Sequence, residues 1–197
     1  STTSPNDTVF RWMKKGLDYC GIDMAEYEKK DRTYIFLHND AVRVYNTSTN
    51  TVTAGFFYNF PIVNRDINGN PIIDPVTGLP QTHPATSWNE YSKETVKNYF
   101  LYLIGQGINN FYDLNAVNKA VQSLLPPGTT TGKESMLGYW DTVNGGFSLT
   151  GKGFDQDGKF YLRIQNNADV APIMHNDRTG DRSGGYVATN GVIHVYS

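Results

Sequence analysis

The chain has 197 residues, enough for one domain with a full core and short for two. Hydrophobic residues make up 39% and charged residues 18%, and a net charge of −2 with a pI near 6.0 excludes a general nucleic-acid binder, which needs a basic footprint to neutralise phosphates. No window approaches the roughly 18 apolar residues that span a bilayer, so the chain reads as soluble, and a lone Cys20 excludes an internal disulfide.

In chain order, the polar Ser1–Asp7 stretch reads as the remnant of a linker, so a piece of a longer protein is expected. Asn6 or Asp7 is expected to cap a first helix with Val9, Phe10, Met13 and Leu17 on one face, ended by Gly21. Cys20, near that helix end, reads as a small buried hydrophobe rather than a nucleophile. The pairs Lys14-Lys15 and Lys29-Lys30 stand beside helical apolar positions or beside Glu26 and Glu28, the pattern of a solvated helix face. A second short helix is expected over Met24–Lys30, then a buried strand over Thr33–Leu37. Asn39-Asp40 is expected to cap a helical turn beginning at Ala41.

Residues 46–85 read as an insertion. Asn46–Asn50 is a polar loop, Thr51–Asn59 a strand with an aromatic centre at Phe56, Phe57 and Tyr58, and the stretch to Pro84 is dense in Pro, Gly, Asn and Asp. Such composition predicts defined turns with little core, as an irregular hairpin lying against the domain. Asp66, Asn68, Asn70 and Asp74 have oxygen-rich spacing, but Pro71 stands where a calcium loop needs glycine and the terminal glutamate is missing, which favours plain turns.

Ser92 is expected to cap a helix with Val96, Tyr99, Phe100 and Leu103 on its apolar face, terminated by Gly105 and Gly107. A further helix is expected with Leu114, Val117, Val121 and Leu124 as its stripe, ending at Pro126-Pro127-Gly128. The rest reads as a β half: a loop over 129–133, strands over 147–150 and 159–164 with an Asp157-Gly158 turn, a polar loop over 175–185 and a closing strand. Within that last strand, Asn190-Gly191 is expected to make the tight turn through positive φ values.

Catalytic motifs fail on spacing. The chain has no Gly-x-Ser-x-Gly elbow and no His-Glu-x-x-His helix, Gly151-Lys-Gly153 lacks the third glycine of a dinucleotide loop, and His38, His83, His175 and His194 are scattered. No cofactor or metal is expected. Asn6-Asp7-Thr8 and Asn46-Thr47-Ser48 fit glycosylation sequons.

The closing segment Asn190-Gly-Val-Ile-His-Val195 resembles, residue by residue, the strand that ends fasciclin domains. Tyr34–Val42 is similar to that family's strand running into a Pro-Thr-Asn-Glu-Ala-Phe segment. Asn39, Asp40 and Ala41 match it, while Leu37 and His38 replace the proline and threonine. Residues 159–171 are similar to a family hairpin return. Tyr102 aligns with the tyrosine of a Tyr-His pair associated with adhesion in animal members, but Leu103 replaces the histidine, which removes the basis for integrin-type adhesion.

The resemblance implies a single α+β domain over 1–197, a twisted β-sandwich or wedge flanked by helices with the 46–85 insertion. It also implies non-enzymatic adhesion or ligand binding, at the cell surface or outside the cell, as part of a larger surface protein anchored through a segment not shown. The absence of cysteine pairs fits a bacterial rather than an animal extracellular protein, and a surface lipoprotein is expected. The expected partner is a surface protein or glycan, with no nucleic acid. Asn39, Asp40, Tyr102, Asn190, Gly191 and His194 are motif positions with structural roles. A rival reading is a carbohydrate-binding module in which Phe57, Tyr58, Trp88 and Tyr91 stack on sugar rings; the same aromatics would otherwise pin the insertion to the domain. A hydrolase with a dispersed active site is the other rival.

Overall fold

A computed structural model describes residues 9–109, 119–126, 146–150, 161–163, 170–172, 175–176, 181–182 and 186–196. The architecture is mixed α+β, with short helices set beside small sheets.

Helix α1 (Arg11–Cys20) buries Met13, Gly16, Leu17 and Cys20, the i, i+3, i+4, i+7 stripe of a helix with one face in the core. Gly21 ends it in the left-handed region (φ 73°), where its N–H reaches the Leu17 carbonyl at 3.0 Å. The expected local caps, Asn6 and Asp7, lie outside the described residues. Instead the Trp12 N–H donates to Asn39 Oδ1 at 3.1 Å, and the Asn39 N–H donates to the Val9 carbonyl at 2.8 Å. A donor orphaned by the start of the helix is therefore satisfied from elsewhere in the chain. The expected helix over Met24–Lys30 is a shorter 3₁₀ turn, Met24–Glu28, capped by Asp23 through the Ala25 N–H at 2.9 Å.

Strand β1 (Arg32–Leu37) carries the main sheet, and helix α2 (Asn39–Val42) follows directly. The cap of α2 is one residue earlier than expected: His38 is the N-cap, and its Nδ1 accepts from the Asp40 N–H at 3.2 Å. Strands β2 (Val44–Asn46) and β3 (Thr51–Ala54) form a hairpin. The strand expected to run on through Phe56–Tyr58 stops at Gly55, and Phe56–Asn59 forms helix α3. At Gly55 (φ 86°) a Cβ would stand 2.8 Å from the Val42 carbonyl carbon, so only glycine fits this approach to α2. The helical turn lets Phe56 and Phe57 both enter the core, whereas a strand would point them to opposite faces.

Strands β4 (Ile62–Val63) and β5 (Thr82–His83) pair antiparallel and bracket a double turn. After a 3₁₀ turn at Trp88–Glu90, helix α4 (Lys93–Tyr102) starts at Ser92, whose hydroxyl accepts from the Thr95 N–H at 3.1 Å as expected. Its buried residues Val96, Tyr99, Phe100 and Tyr102 meet α1. At Gly16 a Cβ would lie 2.6 Å from the Phe100 ring, so glycine sets how closely these helices approach. Gly105, expected to end α4, lies inside β6 (Ile104–Gln106) opposite Thr33, while Gly107 (φ 79°) makes the bend after it.

The helix expected around Val121 is a second correction. Lys119–Gln122 is strand β7, and from Val121 to Pro126 burial alternates, with Val121, Ser123 and Leu125 inward. That period of 2 overrides the helical reading, which Val121 and Leu124 satisfy equally well; Leu114 and Val117 lie outside the described residues. Strand β7 pairs with β8 (Gly146–Thr150), β8 with β9 (Tyr161–Arg163), and β9 with β10 (Val170–Pro172). A bridge from Gly105 to Ser123 and a 2.9 Å hydrogen bond from the Leu124 N–H to the Ile104 carbonyl join this sheet to β6. The segment read as a polar loop contains a small hairpin, β11 (His175–Asn176) with β12 (Asp181–Arg182). The 129–133 loop and the Asp157-Gly158 turn lie outside the described residues.

Strands β13 (Tyr186–Ala188) and β14 (Gly191–Tyr196) close the main sheet in the order β13-β14-β1-β6. The Ala188–Gly191 pairing makes Thr189-Asn190 the turn, one position earlier than the sequence reading, and puts Gly191 in the strand. Gly191 does not take a positive φ; it is glycine because a Cβ there would lie 2.3 Å from the Arg32 carbonyl oxygen.

Candidate functional site

The two stretches that carry the family resemblance meet in space. Strand β14 runs parallel to β1, with Arg32 opposite Gly191, Ile35 opposite His194 and Leu37 opposite Tyr196. Asn190 Nδ2 donates to the Tyr27 carbonyl at 2.8 Å, tying the turn before β14 to the 3₁₀ turn before β1. Asn39 caps α1, Asp40 is exposed in the first turn of α2, and Tyr102 and Leu103 are buried. Among these motif positions, Asn190 and Gly191 lie at the β1–β14 seam and Asn39 at the α1–α2 corner.

The aromatic sugar platform is corrected by burial. Phe57 is 0% and Trp88 2% exposed, so neither ring is open to a ligand. They belong to a cluster in which Phe56, Phe57, Trp88, Tyr91, Tyr99 and Phe100 meet at ring-centroid separations of 4.5 to 6.3 Å, mostly tilted or edge-on. Trp88 Nε1 donates to the Trp12 carbonyl and the Tyr91 hydroxyl to the Phe60 carbonyl, at 2.8 and 2.7 Å. Burial pushes the Tyr91 hydroxyl far up from its ordinary pKa, with Glu90 adding to the effect, so it stays a neutral donor. Of the four candidate rings only Tyr58 remains half exposed. Cys20 is buried too, and desolvation raises its thiol, which keeps it protonated and unreactive.

Exposed apolar surface is concentrated instead on the double turn between β4 and β5. Ile67 is 99%, Val76 92% and Leu79 65% exposed, with Ile72 and Ile73 beside them. The segment stands away from the domain rather than lying against it, since residues 65–73 and 75–80 are all exposed. Its backbone is nevertheless fixed. Asp66 Oδ1 accepts from the N–H groups of Asn68 and Asn70 at 2.9 and 2.8 Å, and Gly69 turns at φ 84°. The second turn repeats the device: Asp74 Oδ1 accepts from Val76 and Thr77 at 2.8 and 2.9 Å, and Gly78 turns at φ 69°. Each turn closes on a proline, with bridges Arg65–Pro71 and Ile73–Pro80. One carboxylate oxygen of each of Asp66 and Asp74 is thus occupied by backbone donors, which lower both carboxyl pKa values. Among the described residues no three His, Cys, Asp or Glu side chains are grouped to hold a metal.

The base of the projection is clamped to the core. His83 Nε2 faces Glu90 Oε2 at 2.8 Å, and its Nδ1 faces Asn64 Oδ1 across the pair of strands. Glu90 Oε1 also accepts from the Thr86 N–H at 2.6 Å and the Thr86 hydroxyl at 2.9 Å. Burial alone raises the Glu90 carboxyl, but the Thr86 and His83 hydrogen bonds outweigh it and hold it below the usual range. Glu90 sits two residues from buried Trp88, so the clamp fixes the projection to the aromatic cluster.

Sequence reasoning located the turns and missed what they display. The available signal was the placement of Ile67, Val76 and Leu79 between Asp, Gly and Pro turn residues, where a tight turn leaves no interior for them. Among the described residues no helix is long and apolar enough to cross a membrane. The sequence matches no protein-family model and no curated protein.

Proposed function

We propose that this is a non-enzymatic adhesion or ligand-binding domain of fasciclin type, displayed at the cell surface or outside the cell by a larger, lipid-anchored bacterial protein, and that the 64–81 double turn is its contact surface for a protein partner. The carrying observation is a projection with a hydrogen-bonded backbone on which the aliphatic side chains of Ile67, Val76 and Leu79 are exposed. Exposed loops on a fixed scaffold are where recognition residues concentrate, and a contiguous apolar display marks an interaction surface. A preformed backbone lowers the ordering cost of binding. The parallel pairing of the segments at 32–37 and 191–196 supports the family reading, because two similarities far apart in sequence fall on neighbouring strands. A twisted sandwich or wedge remains the proposed finer architecture, built from the β13-β14-β1-β6 sheet and the sheet joined to it at Gly105–Ser123.

Whole-cell and glycan-array binding by the full chain tests this, beside a variant in which 64–81 is replaced by a short Gly-Ser linker and folding is checked by circular dichroism. The expected result is saturable cell binding that the folded replacement loses. Undiminished binding by the replacement refutes the assignment of the surface.

A further inference from the structure

A second surface, on α1 and β2, carries a different chemistry. Trp12 is half-buried, and two cations lie over its ring, Lys15 Nζ at 4.7 Å and the Arg43 guanidinium at 5.3 Å from the centroid. The same guanidinium lies 4.4 Å from the centroid of Tyr45, which is 39% exposed. Both rings are themselves positioned. Trp12 meets the buried Phe57 edge-on at 5.5 Å, and the Tyr45 hydroxyl donates to Asn50 Oδ1 across the β2–β3 turn. The guanidinium carbon of Arg43 therefore lies over two aromatic rings.

What this guanidinium lacks is an acceptor. Among the described residues no carboxylate stands within salt-bridge distance of Arg43 or Lys15, whereas Lys14 and Lys29 have Asp18 and Glu26. Arg43 Nε is buried without a hydrogen-bond partner. With Nε buried, the two Nη groups are the donors left to a ligand, a planar fork that matches the two oxygens of a carboxylate. Fixing that fork in advance removes side-chain entropy that binding otherwise costs.

We propose that Arg43, with Lys15 as a second positive charge and Tyr45 as a flanking ring, forms a site for an acidic saccharide bearing carboxylates. A hexuronic acid unit supplies both complements of this surface: a planar carboxylate for the fork and a C–H face for the open part of the Tyr45 ring. The site shares no residue with the double turn and does not rest on the protein-partner reading.

Calorimetric titration of the full chain with a short oligohexuronate, against a neutral oligohexose of equal length and poly-glutamate, tests it. Binding of the oligohexuronate alone, weakening with salt, is expected. Arg43→Lys keeps the charge and loses the fork, so affinity falls about ten-fold or more, and Lys15→Gln weakens binding by a smaller factor. Substitutions at Ile67 and Val76 leave it unchanged. Absence of oligohexuronate binding, undiminished binding by Arg43→Lys, or equally tight binding of poly-glutamate overturns the proposal. Lys15 is exposed on α1, so its variant keeps the test open should changes at the half-buried Arg43 perturb folding.

Discussion

The aromatic cluster around Trp88 and the double turn at 64–81 are adjoining parts of the chain fixed in opposite ways. The cluster is held by burial: Phe57, Trp88 and Phe100 are almost wholly removed from water, each side chain contributing roughly 1.5–3 kcal/mol of transfer free energy. The double turn buries almost nothing and is held by Asp66, Asp74 and backbone hydrogen bonds. Where side chains build the core they are unavailable to a ligand, and where the backbone alone holds the shape they are free to meet one. On that reasoning the buried rings of the cluster serve stability, and the exposed aliphatic side chains of the double turn serve recognition.

The contrast is broken most forcefully at Trp88. Trp88→Ala is expected to lower unfolding free energy by about 3–5 kcal/mol, read by chemical denaturation, with any loss of binding following the unfolded fraction. A small effect on stability would return Trp88 to the candidate ligand residues. Gly191→Ala comes next, because its Cβ must displace the Arg32 carbonyl and with it the β1–β14 pairing; a lowered Tm with faster amide exchange at Phe36, while the Ile35 N–H keeps its bond to the Leu103 carbonyl, is the expected reading. Asn39→Ala should cost about 1 kcal/mol, the usual worth of an N-cap, and Asn39→Asp should recover most of it in the same denaturation assay.

Acid separates the two regions more finely. The carboxyls of Asp66, Asp74 and Glu90 have folded pKa values below their unfolded ones, so their contribution is complete above the unfolded carboxylate range and is lost as pH falls through the folded values. Lowering the pH through that window should speed amide exchange at Asn68, Asn70, Val76 and Thr77 before tryptophan fluorescence reports any change in the cluster. Simultaneous loss at both regions would contradict their separate origins.

Much of this division was legible in the sequence where one local rule decided the outcome. The periodicity of α1 and α4, the Ser92 cap, the strand at 33–37 and the turns at 66–80 followed from spacing and turn chemistry. Reading failed where two rules competed or a distant residue intervened. Val121 and Leu124 fit a helical period while Val121 and Leu125 fit a strand period, and only pairing with β8 decides between them. Phe56 and Phe57 favour strands by propensity, yet Gly55 and the nearby α2 backbone turn them into a helix. No local pattern discloses that Asn39 caps α1, that His83 and Glu90 clamp the projection, or that Phe57 and Trp88 face inward.

The most direct measurement is paired: the Tm and cell-surface affinity of the variant Ile67→Ser, Val76→Ser and Leu79→Ser. These side chains touch little, so each change should alter stability by no more than about 0.5 kcal/mol while binding falls below detection. Full binding with an unchanged Tm would contradict the assignment of recognition to the double turn.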